Sequence, residues 1–198
     1  MNNISLIISI VALAISGATF WLTRIKKGNV KMTRPTIIFF GPDGGGEQRN
    51  KIFIRTLLYS TSERGQYIQN MFISLQRGES VQNFNVWAYG EREQLVRGSG
   101  LFISKNGLAL NHHFLQPKDG ADYQFLSGDY LLSVFIETVD ETRTKIFEQL
   151  LSVTKDQQNE MAIKKAGLFF DWAPNTQNYF SHIDIRPLTD DELLKKML

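Results

Sequence analysis

The first 22 residues carry no charge, and from Ile4 to Leu22 (ISLIISIVALAISGATFWL) nearly every position is apolar or small. As a helix rising 1.5 Å per residue, these 19 residues span about 28 Å, close to the ~30 Å hydrocarbon core of a bilayer. After Pro35 the pattern changes to short apolar and aromatic runs separated by turn residues roughly every ten positions, the pattern of an all-β sandwich or barrel. The runs predict strands at 36–41, 51–60, 66–77, 83–89, 94–104, 107–115, 129–139, 143–153, 167–172 and 178–186. Turn chemistry separates them at GPDGGGEQRN (41–50), ERG (63–65), QRGES (76–80), KNG (105–107), KDGAD (118–122) and APNTQN (173–178). Asn106-Gly107 is the strongest hairpin signal, because both residues tolerate the positive φ of a type I′ turn.

Alternation with period two defines the faces. Met71, Ile73 and Leu75 share one side, with Phe72 breaking the polar side, and Phe84, Val86 and Ala88 oppose Asn83, Asn85 and Trp87. Two short helices are predicted near the C-terminus: 155–165, with Thr154 as N-cap and Gly167 just past the end, and 190–197, where Thr189 and Glu192 form a capping box. The expected architecture is a mainly β chain, an antiparallel sandwich of immunoglobulin-like or C2-like type, preceded by one transmembrane helix. Its parts are an anchor at 1–23, a basic juxtamembrane linker at 24–34 and a β-sandwich domain at 35–198.

Charge placement changes the picture more than net charge does. Arg24, Lys26, Lys27, Lys31 and Arg34 all lie before residue 35 with no acid among them; taking these five from 22 bases leaves 17 against all 20 acids, a net of −3 beyond. A nucleic-acid footprint on the β domain is therefore not supported. Trp21 and these five bases are the expected membrane-interface residues, and residues 4–22 the expected contact with the lipid bilayer. A cleaved signal peptide would need positive charge before the apolar run, and Met-Asn-Asn has none, so an uncleaved anchor is preferred. Bases flank only its C-terminal side, which predicts the N-terminus outside and the domain in the cytoplasm; an exported envelope domain binding lipid or glycan is the alternative. No cysteine is present, which excludes disulfides and thiolate chemistry without fixing the compartment.

Candidate chemistry is sparse. The glycines of GPDGGGEQRNK resemble a phosphate loop, but no Gly-Lys-Ser/Thr follows and the next segment reads as a strand. His112 and His113 are adjacent, so in a strand they face opposite ways and do not readily share a metal; His182 is the third histidine, and Asp119, Asp122 or Asp184 would have to help. Ser152-Val-Thr-Lys155 matches a Ser-x-x-Lys string without its partner motifs. No cofactor or metal is expected and no catalytic motif is present. A hydrolase site from His112 or His113, Asp43 or Asp119, and a serine is the enzymatic alternative. The aromatic clusters FNVWAYG (84–90) and GLFFDWAPNTQNYF (167–180) fit core packing and cross-strand pairs.

The strings WLTRIKKGNVKMTRPTIIFFGPDG, GSGLFISKNGLALNHHFLQP and FDWAPNTQNY resemble uncharacterised bacterial proteins that join one N-terminal membrane helix to a small β domain. The resemblance implies a bacterial, membrane-anchored protein and carries no activity, cofactor or site residue. The expected function is a single-pass inner-membrane protein whose cytoplasmic β-sandwich is a non-enzymatic protein-binding or scaffolding module.

Overall fold

The computed structural model describes residues 3–43, 49–90, 94–117, 123–164 and 166–184. The predicted helix at 190–197, the KDGAD turn with Asp119 and Asp122, and the glycine-rich centre of the 41–50 loop lie outside the described residues.

The apolar run forms α1 (Asn3–Phe20), which buries no residue against the rest of the chain. Three hydroxyls of this segment turn back on its own backbone: Ser9, Thr19 and, just past α1, Thr23 each donate to the carbonyl four residues back, at 2.8–2.9 Å. Such bonds let a small polar side chain sit in a low-dielectric surrounding without an outside partner. Over Trp21–Ile25 the helix widens, and the Lys26 N–H donates to the Trp21 carbonyl at 2.8 Å. From Asn3 to Ile25 the segment is long and apolar enough to cross a membrane.

The rest is two antiparallel sheets in a sandwich-like arrangement. The strands are β1 (Val30–Met32), β2 (Ile37–Pro42), β3 (Asn50–Ser60), β4 (Gln66–Arg77), β5 (Ser80–Phe84), β6 (Val86–Tyr89), β7 (Val96–Arg97), β8 (Leu101–Ile103), β9 (Leu108–Leu115), β10 (Gly128–Thr138), β11 (Arg143–Val153), β12 (Gly167–Ala173) and β13 (Asn178–Asp184), with α2 (Lys155–Lys164) between β11 and β12. One sheet has the order β13-β12-β2-β3-β9-β6-β7, with β1 on β3 beyond the reach of β2; the other runs β11-β10-β4-β5, with β8 on the first residues of β4.

The core lies between the sheets. Phe40 of β2 is its hub, stacked on Phe125 at 4.8 Å and edge-on to Phe170 at 5.1 Å and Tyr130 at 6.0 Å. Met71, Ile73 and Leu75 are buried, as their alternation predicts. Phe72, which breaks that alternation, stacks on Phe135 across the outer face at 5.0 Å, under the Arg143 guanidinium. Each large apolar side chain withdrawn from water contributes about 1.5–3 kcal/mol.

Two long runs read as single strands are broken in the structure. The run at 83–89 divides at Asn85, with Phe84 in one sheet and Val86 in the other, and the run at 94–104 divides at Gly98–Gly100 in the same way. The alternation resets where the chain changes sheets, so Phe84 and Trp87 are both buried and the expected common face of Phe84, Val86 and Ala88 does not form. The Asn106-Gly107 signal is likewise not a hairpin. It joins β8 in one sheet to β9 in the other, only Gly107 has positive φ (77°), and its N–H donates to the Ser104 carbonyl at 3.2 Å. Positive φ at both central residues would define type I′, whereas Gly at the fourth position suits type I. The tight hairpin is β4–β5, where Arg77 pairs with Ser80 around Gly78 (φ 57°) and Glu79.

α2 starts as expected. Thr154 Oγ1 accepts from the Gln157 N–H at 3.2 Å while Gln157 Oε1 accepts from the Thr154 N–H at 2.9 Å, a reciprocal capping box. Gly167 does not end this helix but opens β12, where a Cβ would lie 1.9 Å from the Phe39 ring.

Candidate membrane foot and binding cleft

The segment after α1 was expected to be a linker, yet strand pairing already begins at Val30, inside it. Val30 is buried, and Val30, Lys31 and Met32 pair with Ser60, Tyr59 and Leu58. The approach to this strand is fastened too. Lys27 Nζ lies 2.8 Å from Asp140 Oδ2, Gln66 Nε2 donates to the Gly28 carbonyl, and Asn29 and Thr61 exchange two hydrogen bonds at 2.8–2.9 Å. Gly28 lies so close to the β3–β4 connection that a Cβ there would be 2.6 Å from the Ser62 nitrogen.

The expected interface residues therefore divide into two groups. Trp21, Arg24 and Lys26 belong to the end of the helix, with Lys26 Nζ 5.9 Å from the Trp21 ring centre. Lys27, Lys31 and Arg34 belong to the surface of the sandwich. Lys27 holds the Asp140 carboxyl below its ordinary pKa by hydrogen bond and charge, Lys31 is exposed on β1, and the Arg34 guanidinium covers Trp172 at 3.9 Å.

The sheet-changing corners make a second feature. Asn85, Val86 and Trp87 from one corner, and Arg97, Gly98 and Ser99 from the other, face Gln69, Asn70 and Glu137 across a cleft of about 430 Å³. A bulge opens this wall: Glu137 pairs with Asn70 and Thr138 with Ile68, so Gln69 has no counterpart on β10. Bulges of this kind re-aim side chains at sheet margins. Gly98 lets the second corner press onto the first, because a Cβ there would lie 2.1 Å from Trp87 Cε3, and its N–H donates to the Trp87 carbonyl at 2.8 Å. Three side-chain amides, a hydroxyl, a guanidinium and a carboxylate line the opening, a set that donates and accepts hydrogen bonds with little net charge. Sequence patterning missed this cleft because its residues are ordinary polar positions; the Gly-Ser-Gly at 98–100 is the one signal of close backbone approach.

The histidines do not form a metal pair. As expected for neighbours on a strand, they take opposite faces: His112 is buried beside Trp87, while His113 packs against Phe53 with ring centres 5.0 Å apart. The Trp87 indole N–H donates to His112 Nδ1 at 3.2 Å, which puts the imidazole proton on Nε2, an atom with no hydrogen-bond partner among the described residues. Burial, and secondarily the charge of His113, lowers the pKa of His112 to about 4. His182 lies on β13, separated from these two by β12, β2 and β3, its Nδ1 3.3 Å from Asp171 Oδ2. Asp43 pairs with Lys51 at 3.0 Å, and Ser152 donates to Asp129 at 2.6 Å. Among the described residues, no group of three or more His, Asp or Glu is placed to hold a metal ion.

No protein-family model and no curated protein matches the chain. Among solved structures, the CooA pilin subunit from enterotoxigenic Escherichia coli aligns over 60% of this chain and 99% of its own, at 10% identity and a TM-score of 0.28, an overlap below that of a shared fold.

Proposed function

We propose that this is a single-pass protein of the bacterial inner membrane whose sandwich works in the cytoplasm as a non-enzymatic module, binding an extended polypeptide segment of a partner in the cleft between Asn85, Arg97 and Glu137. The observation that carries this reading is the cleft itself, where amides, Arg97 and Glu137 match the alternating donors and acceptors of a peptide backbone. A binding role is favoured over a hydrolase built on His112, which is buried and whose Nδ1 lone pair already accepts from the Trp87 indole. Cytoplasmic placement is supported by five bases after the apolar helix and none before it.

A photo-reactive amino acid placed at Gln69 or Ser99 of the full-length protein in cells tests this reading. The same protein adduct is expected from both positions, lost on Arg97→Glu, and not from Val81 on β5. Equal labelling from all three positions, or none from the cleft, contradicts it; an adduct of carbohydrate mass would replace peptide with glycan.

A further inference from the structure

Three apolar side chains stand exposed beside the end of the anchor. Tyr67 of β4 is 61% exposed, Phe102 of β8 45% and Val139 of the β10–β11 turn 62%. They form one patch: Tyr67 pairs with Phe102 in register with ring centres 4.8 Å apart, and the Val139 N–H donates to the Tyr67 carbonyl at 3.4 Å. On β4 and β8 the neighbouring Ile68 and Ile103 are buried, so Tyr67 and Phe102 occupy the outer face of the sheet.

Covalent continuity decides what such a patch meets. The helical segment ends at Ile25, and Lys27, two residues on, is bonded to Asp140, which follows Val139 in the chain. Two residues of extended chain reach about 7 Å at most, and the Gly28 carbonyl that follows accepts from Gln66, the residue before Tyr67, so the patch stays near the point where the helix leaves the hydrocarbon. Two nearby charge pairs, Lys27 with Asp140 and Lys105 with Glu63, lower the cost of bringing this end against headgroups. Tyr beside a helix end favours the interfacial layer, its ring in the apolar boundary and its hydroxyl in the headgroups, and Phe102 beside it adds apolar area.

We infer that the Tyr67–Phe102–Val139 patch rests in the headgroup layer of the same bilayer that holds α1, giving the domain a second, monotopic membrane contact that fixes its tilt and turns the adjacent cleft toward the membrane surface. Gln69 and Glu137, which line the cleft, stand two residues from Tyr67 and Val139 along their own segments. A partner engaged there is thereby selected for a segment close to the membrane. The inference rests on the anchor reading.

The test uses the full chain in vesicles of phosphatidylethanolamine and phosphatidylglycerol, with single cysteines at Val139, Val81 and Leu13 carrying an environment-sensitive nitrobenzoxadiazole label; the natural sequence has no cysteine to interfere. The Val139→Cys label is expected to be blue-shifted, quenched by lipids with a nitroxide near the headgroup, and several-fold less accessible to aqueous iodide than the Val81→Cys label. Tyr67→Ser with Phe102→Ser should return it to iodide without changing the Leu13→Cys signal. If Leu13→Cys is quenched by deep nitroxides while Val139→Cys remains open to iodide, the anchor reading stands and the second contact is overturned. Protection from iodide without lipid quenching would assign the patch to a second copy of the chain and also overturn it. An unquenched Leu13→Cys removes the anchor reading and the inference with it.

Discussion

Lys27 and Asp140 meet at 2.8 Å, joining the first residues after the apolar helix to a turn 113 positions along the chain. Both side chains are 68% exposed, so the pair itself adds little stability. Its meaning is geometric: with Gly28, Asn29 and Val30 it leaves almost no slack between helix and sandwich.

The tightest point of that joint is Gly28, and Gly28→Val should open it. The new side chain would meet the Ser62 backbone, and relief requires moving the 28–30 segment away from the β3–β4 connection. Overpacking of this kind costs about 1–3 kcal/mol. Trypsin cleavage after Lys31, which lies within the β1–β3 pairing, should become at least severalfold faster than in the parent protein, with cleavage elsewhere little changed. An unchanged rate at Lys31 would mean that the joint is not closed as described.

Acid should weaken the fold through His112. Its folded pKa, about 4, lies below the ordinary 6.5, so under acid the unfolded state takes the proton first. Stability from this group is fully present above pH 6.5 and falls as the pH drops from there toward 4, by roughly 3 kcal/mol in all. His112→Phe should flatten that part of the urea-stability profile between pH 7 and pH 4. A wild-type profile already flat across this window would contradict the buried, neutral imidazole.

Gly98→Ala tests whether the two corners must touch to form the cleft. Its methyl would fall inside the Trp87 ring, so the corner must retreat at a cost of about 1–3 kcal/mol. Exposure of the indole should shift its fluorescence to the red, and the photo-adducts at Gln69 and Ser99 should weaken together. A variant with parental stability and emission would show that Gly98 is not packed there.

Thr154→Ala removes half of the capping box of α2 and is expected to cost about 1 kcal/mol in chemical denaturation. Thr154→Ser, which keeps the oxygen, should recover most of the loss. Equal stability of all three proteins would disprove the cap.

The strands at 66–77 and 143–153 were readable to the residue because each stays in one sheet along its whole length. Asn85 and Gly98 were not, since a strand that changes sheets keeps its apolar character while exchanging which face is buried, and period-two reading has no signal for the exchange. β1 was hidden because Val30 is its one buried residue, and Lys31 beside it reads as a topology charge. The opposed faces of His112 and His113 followed from strand geometry alone. The cleft did not, because the bulge at Gln69 depends on how β4 pairs with β10 and leaves no mark in composition.

The most direct measurement is the sidedness of the domain in cells making the full-length protein. With Val81→Cys as the single exposed cysteine, a membrane-impermeant maleimide should leave intact spheroplasts unlabelled and label the protein fully after lysis, at a mass showing the helix retained. Labelling of intact spheroplasts would place the sandwich outside the cytoplasm and contradict the orientation from which the proposed partner follows.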